Sequence, residues 1–178
     1  MTNKTYKKLI VGSAQFGSLY GISNFIRPDF SDISKILDLA KRNGINSIDT
    51  AINYGDAETF LGRYGVDDWR IITKLPNIPK NLKNLDNWVQ LKLETTLKNT
   101  KKNNIEALLL HNSQNFLEKN ADQLFIKLLS LKKNGLINKI GISIYEPLQA
   151  LEILKKYDID IIQVPFNVLD QRILKNNW

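Results

Sequence analysis

The chain has 178 residues, enough for one well-packed domain and few for two, and its 43% hydrophobic and 24% charged residues lie in the globular range. It has no cysteine and one histidine, which excludes disulfides, thiol chemistry, Cys-based zinc sites and a histidine-rich metal centre. The net charge of +7 and the pI near 9.5 come from lysines spread along helical patterns and turns, interleaved with asparagines such as Asn81, Asn84, Asn87, Asn103 and Asn104. That distribution reads as a solvated surface and not as a nucleic-acid groove, although such a field favours an anionic ligand such as a phosphorylated cofactor.

In chain order, Leu9-Ile-Val11 predicts a first strand, and Ile33, Ile36, Leu37 and Ala40 form a helical stripe that Ser31 or Asp32 would cap and Gly44 would close. Met1-Thr-Asn-Lys-Thr-Tyr-Lys-Lys8, ahead of that strand, has no signal-peptide core, and no later apolar run reaches transmembrane length. A cytoplasmic protein without a membrane role is expected. Ile45–Ile48 predicts the second strand, and Ala57–Tyr64 a short helix at most. Trp69–Thr73 follows as the third strand, then an amphipathic helix from about Trp88 to Lys102, then a fourth strand at Ile105–Leu110. Leu124, Leu128 and Leu131 form the next helical stripe, closed by Gly135, before a fifth strand at Ile137–Ser143. Pro147 takes a first-helical position ahead of Leu148, Leu151 and Leu154. Ile159–Val164 is the sixth strand, and a seventh element only begins near Val168.

Several of these strands are apolar on both faces, as parallel strands covered by helices are. Strict alternation of β and α leaves an open doubly wound sheet or a (β/α)₈ barrel. The first turn, Gly12-Ser-Ala-Gln-Phe-Gly17, lacks G-x-G-x-x-G, and no acidic residue closes the second strand in the ribose-binding context. The expectation is an α/β fold: an incomplete (β/α)₈ TIM barrel with about six of its eight units, forming a single partial domain over residues 1–178.

Barrels keep their chemistry at the carboxyl ends of the strands. Asp49 follows Ile48, Lys74 follows Ile-Ile-Thr73, His111 follows Leu-Leu-Leu110, and Tyr54 lies in the loop after Asp49. Singly these could be a cap, a surface lysine, a structural histidine and a loop tyrosine. A lysine ending a buried strand, however, needs its ammonium paired, and the four together mark one rim of the sheet.

At these residues the chain resembles the aldo-keto reductases. Asp49-Thr-Ala-Ile-Asn-Tyr54-Gly55, the strand-terminal Lys74 and Leu-Leu-Leu-His111 look like that family's catalytic tetrad segments. Gly12–Gly17, Gly135–Ser143 and Ile162-Gln-Val-Pro-Phe-Asn167 are similar to further family segments, in the family's order, from about Leu9 to Arg172. The resemblance implies an oxidoreductase that reduces an aldehyde or ketone, or oxidises the alcohol, with NADPH or NADH and without a metal. Tyr54 would be the general acid, Lys74 would bring the phenol down from its ordinary pKa of about 10, Asp49 would keep the ammonium charged, and His111 would hydrogen-bond the carbonyl. A unit charge at about 4 Å is worth roughly 4 kcal/mol at an effective dielectric near 20, so such a shift is physically within reach. Ser143 and Gln163 match positions that hold the nicotinamide carboxamide, with Gln15 and Phe16 lining the same pocket, while Ile144 stands where many members have Asn. The segment Gly12–Gly21 is similar to members found in bacterial cell-surface sugar pathways, which implies a sugar-derived substrate.

A complete barrel needs about 250 residues, so a truncated member is expected, with unpaired edges near Leu9 and Ile162 that invite self-association or a complementing chain. Two other readings stay open: a non-catalytic barrel fragment serving assembly or binding, and a Schiff-base aldolase using Lys74.

Overall fold

The structure, a computed structural model, describes residues 8–21 and 26–176; the amino-terminal run Met1–Lys7 lies outside the described residues. Six parallel strands pair strictly in chain order: β1 (Val11–Gly12), β2 (Ser47–Asp49), β3 (Arg70–Leu75), β4 (Ile105–Leu110), β5 (Ile137–Ser143) and β6 (Ile161–Gln163). Between them run α1 (Ala14–Gly17), α2 (Phe30–Arg42), α3 (Ala57–Tyr64), α4 (Leu85–Thr100), α5 (Ala121–Lys133) and α6 (Pro147–Leu154). Since β1 and β6 do not pair, the sheet curls into a part-barrel that stays open between them. This is the incomplete (β/α)₈ architecture expected from the alternation. Beyond β6 a short 3₁₀ turn occupies Arg172–Asn176, and no seventh strand forms among the described residues. No helix among them is long and apolar enough to cross a membrane.

Several boundaries differ from the sequence expectation, because the backbone ladder and not the apolar run decides where a strand ends. Val11 pairs with Ile48 and Gly12 with Asp49, so β1 and β2 sit later than their aliphatic residues suggest. Lys74 and Leu75 pair with Leu109 and Leu110, which places Lys74 inside β3 instead of just beyond it. Neither Ser31 nor Asp32 caps α2: the Asp29 carboxylate does, accepting the Asp32 N–H at 2.9 Å. The turn glycines Gly44 and Gly135 have φ of 78° and 72°, a conformation that closes a helix at little steric cost.

Side chains alternate along each strand, so the curl has two faces. Ile71 and Leu75 of β3, Leu108 and Leu110 of β4, and Ile140 and Ile142 of β5 pack outward into the main core against the helices. Ile72, Ala107 and Leu109 point inward with Ile161, a far smaller apolar cluster. Lys74 shares the inward face with Ile72, whereas Thr73 points out among the helices. Helices α3 and α4 cross so closely that a Cβ on Gly62 would lie 1.9 Å from the Asn99 carbonyl oxygen. Gly62→Ala is therefore expected to destabilise the protein by about 1–3 kcal/mol through overpacking. The check is the urea unfolding midpoint at constant m-value; an unchanged midpoint would mean that the helices separate without penalty.

Candidate active site

Asp49 is the last residue of β2 and pairs with Ile72, two residues before Lys74, so the lysine side chain reaches back toward the carboxylate. Lys74 Nζ lies 2.8 Å from Asp49 Oδ1, 2.8 Å from Oδ2 and 2.8 Å from the Thr50 carbonyl oxygen. Each of its hydrogens thus has an acceptor. The Lys74 side chain is only 2% exposed, against 19% for Asp49. Burial pushes the lysine below its ordinary pKa, and the Asp49 carboxylate opposes the shift. An ammonium with all its hydrogens engaged offers no lone pair, which argues against Schiff-base chemistry at this position.

Tyr54 is held by its backbone. Its N–H donates to the Ala51 carbonyl at 2.9 Å and its carbonyl accepts the Ala57 N–H at 3.1 Å, while Gly17 presses on the same peptide. A Cβ on Gly17 would lie 1.6 Å from the Tyr54 carbonyl oxygen, so the first loop tolerates only glycine there. Lys74 Nζ stands 5.2 Å from the phenol ring centroid, and the His111 ring packs edge-on at 5.9 Å. The phenol is pushed up to about 12, first by burial and then by the Asp49 charge, with Tyr20 and Tyr145 adding to the shift. The expected lowering by Lys74 is not found. Its charge is matched at 2.8 Å by Asp49, and burial disfavours a phenolate, so Tyr54 stays protonated throughout the neutral range.

His111 follows β4, where its backbone N–H donates to the Leu75 carbonyl at 3.1 Å. Its Nδ1 is buried without a partner, which leaves Nε2 as the nitrogen available to a ligand. Burial and the Lys74 charge hold its pKa below 6.5 against the pull of Asp49, so the ring is neutral at neutral pH. From the far side of the opening, Gln163 Nε2 donates to Asp49 Oδ1 at 3.0 Å, tying β6 to β2. Ser143 is the register partner of Gln163. Asp49, Tyr54, Lys74, His111, Ser143 and Gln163 all line one cleft of about 390 Å³.

Two residues from the sequence reading lie elsewhere. The one-turn α1 directs Phe16 into the main core, where it is 3% exposed, and Gln15 is an exposed residue whose amide donates to the Tyr20 carbonyl at 3.3 Å. Ile144, by contrast, lines the cleft next to Ser143, although it is 2% exposed and packs into the main core. Two tyrosines that the sequence reading passed over, Tyr20 and Tyr145, stand at the cleft rim. An adjoining pocket of about 460 Å³ shares His111, Ser143 and Tyr145 with the cleft, and its lining includes the carboxamides of Asn53, Asn77, Asn112 and Gln149. Asn53 lies within the Asp49–Tyr54 segment, which was the one available signal for it.

The profile of the Aldo/keto reductase family matches residues 8–177. The chain belongs to the aldo-keto reductase family. Among solved structures it is similar to PA4992 of Pseudomonas aeruginosa, itself proposed to be an aldo-keto reductase, with 27% identity and a TM-score of 0.76 over 93% of this chain and 65% of that one. It shares its fold with the holo form of AKR11C1 from Bacillus halodurans, at 23% identity and a TM-score of 0.74 over 92% of this chain and 55% of that one. The glycerol dehydrogenase AKR11B4 from Gluconobacter oxydans gives 24% identity and a TM-score of 0.71 over 94% of this chain and 54% of that one. The chain thus spans between 54% and 65% of the length of these reductases. No match was found among curated proteins.

Because His111 is the single histidine, its titration can be read without ambiguity. Its proton NMR midpoint is expected below 6.5, and Lys74→Met should raise it, since that change removes the lysine charge and leaves the Asp49 charge uncompensated. The unfolded chain holds more protons than the folded one between the folded-state value and 6.5, so stability rises with pH in that window and is lost as pH falls through it. A midpoint at or above 6.5 would contradict the described burial.

Proposed function

We propose that this chain carries the proton-transfer half of an NAD(P)H-dependent carbonyl reductase site, converting an aldehyde or ketone to an alcohol or running the reverse. The main support is the meeting of Asp49, Tyr54, Lys74 and His111 in one cleft, in a chain of the aldo-keto reductase family. A reduced nicotinamide, NADPH or NADH, supplies the hydride when bound. Tyr54 then gives its proton to the carbonyl oxygen as negative charge grows there, and its high pKa keeps that proton in place until the charge appears. Nε2 of the neutral His111 orients the same oxygen. Lys74, paired with Asp49, stands 5.2 Å from the Tyr54 ring and bounds the donor's side of the cleft.

The fit of a nicotinamide rests on Ser143 and Gln163. They are register partners at the cleft wall, and the Ser143 hydroxyl makes no side-chain hydrogen bond among the described residues. Its carboxamide would be held by that hydroxyl and by the Gln163 amide once Gln163 releases Asp49. Gln15 and Phe16 have no part in this reading, given their places outside the cleft.

The carboxamide-lined pocket beside His111 supports a substrate rich in hydroxyl groups. Asn53, Asn77, Asn112 and Gln149 donate and accept hydrogen bonds without carrying charge, which suits a neutral, sugar-derived carbonyl compound better than a carboxylate. We read the chain as one partial domain acting in the cytoplasm on a small molecule, with no nucleic-acid or membrane partner. Its open sides carry exposed apolar residues, Leu9, Ile10 and Leu39 beside β1, and Leu148, Val168 and Leu169 beside β6. A second copy or a complementing chain would cover them.

Tyr54→Phe tests the reading. In an assembly that binds cofactor, carbonyl reduction should fall by about 10²–10⁴-fold, while nicotinamide affinity, followed by fluorescence titration, stays near that of the parent. Unchanged turnover would assign the acid role to another group. For the parent chain alone, light scattering is expected to report self-association, and a stable monomer would remove the case for a covering partner.

A further inference from the structure

Glu58 takes no part in the proton path, yet it is a carboxylate only 3% exposed. It sits in the first turn of α3, in the layer between sheet and helices. Oε1 accepts from Thr73 Oγ1 at 2.8 Å and from Thr96 Oγ1 at 3.1 Å, and Oε2 accepts from Thr96 Oγ1 at 3.2 Å. Asn99 adds a further side-chain hydrogen bond. One carboxylate thereby joins α3, β3 and α4. A carboxylate buried this deeply is costly without such donors, and burial does push its carboxyl above the usual range. An apolar residue packed between the same helices would serve stability at least as well.

What Glu58 does that an apolar residue would not is tie two neighbours of the cleft together. Thr73 immediately precedes Lys74 in β3 and projects to the opposite face, so holding its hydroxyl fixes the strand that aims the ammonium inward. Ala57 immediately precedes Glu58 and donates its N–H to the Tyr54 carbonyl at 3.1 Å. Gly17 packs against the same carbonyl and the Ala57 nitrogen. The start of α3, and with it the peptide of Tyr54, is therefore referenced to the strand of Lys74 through Glu58.

We propose that Glu58 is a positioning residue for the Tyr54–Lys74 pair, holding the phenol at its distance from the ammonium by clamping α3 to β3. This rests on the reading of Tyr54 as proton donor. A misplacement of about 1 Å can reduce turnover on the order of 10²-fold, so a positioning role has a measurable consequence.

The test compares the parent with Glu58→Leu, which removes the clamp, and with Glu58→Gln, which keeps one acceptor for Thr73 and offers an amide to Thr96. The first readout needs no activity. The His111 ring packs edge-on against Tyr54, so its proton shifts, read from the one histidine in the chain, report where the phenol sits. Glu58→Leu should move those shifts toward the values of Tyr54→Ala and lower kcat by about 10–100-fold with KM little changed, whereas Glu58→Gln should restore both. Thr73→Val, which deletes one donor, should move them in the same direction and carries the test if Glu58→Leu does not fold. A folded Glu58→Leu or Thr73→Val with parental His111 shifts, whatever its melting temperature, would overturn the proposal. If the parent itself reduces no carbonyl compound, the functional reading fails, and the His111 shifts still decide whether Glu58 positions Tyr54.

Discussion

The buried ion pair between Lys74 and Asp49 is the constraint around which the cleft is arranged. A lysine on the inward face of β3 is forced there by strand alternation, with Ile72 before it on that face and Ile71, Thr73 and Leu75 on the other. Such an ammonium is tolerable only if its hydrogens are met, and the β2–β3 register brings Asp49 and the Thr50 carbonyl to it at 2.8 Å. Gln163 then finds its own acceptor on the same carboxylate across the opening. Removing either member of the pair would leave the other's charge without its partner, and removing Asp49 would also release β6 from β2.

The pair also sets the electrostatics of its neighbours, and it does so by being nearly neutral as a unit. A bare ammonium beside Tyr54 would draw the phenol down, but this one is compensated, and burial together with the Asp49 charge sends the phenol up to about 12. The same burial and the lysine charge keep His111 neutral. At neutral pH the cleft therefore presents two uncharged groups, a phenol and an imidazole, over a compensated pair of charges. That arrangement suits donation of a proton to an oxygen on which charge is developing, because the donor keeps its proton until that charge appears.

Much of the fold could be read in the sequence because its signals are local. The alternation of aliphatic runs with helical stripes, the closing glycines Gly44 and Gly135, and Pro147 at a helix start all act within one or two turns of chain, and six units emerge in order. The ends of β1, β2 and β3 could not be read the same way, since they depend on which residue of a neighbouring strand completes the ladder. Asp29, Ser31 and Asp32 are all competent caps, and only the direction of chain entry into α2 selects Asp29. Phe16 illustrates another limit: a phenylalanine in a glycine-flanked loop can face a ligand or a core, and the one-turn α1 sends it to the core. The contact of Gln163 with Asp49 spans 114 positions, and the clamp of Glu58 with Thr73 and Thr96 joins residues on three elements. No local pattern announces either. Glu58 in particular lies four residues beyond Tyr54 in what reads as an ordinary helix start.

The part-barrel brings Asp49, Tyr54, Lys74 and His111 to one cleft within this chain, and the proposal that needs testing is that hydride and proton meet on one carbonyl there. Isotope transfer tests this most directly. The cofactor-bound protein would be mixed with a neutral aldose and a nicotinamide carrying deuterium at its transferable position, and the alcohol product analysed by mass spectrometry. Deuterium at the former carbonyl carbon, absent when Tyr54 is replaced by phenylalanine, is the result the account expects. Bound cofactor with no deuterium reaching that carbon from any carbonyl compound offered would contradict it.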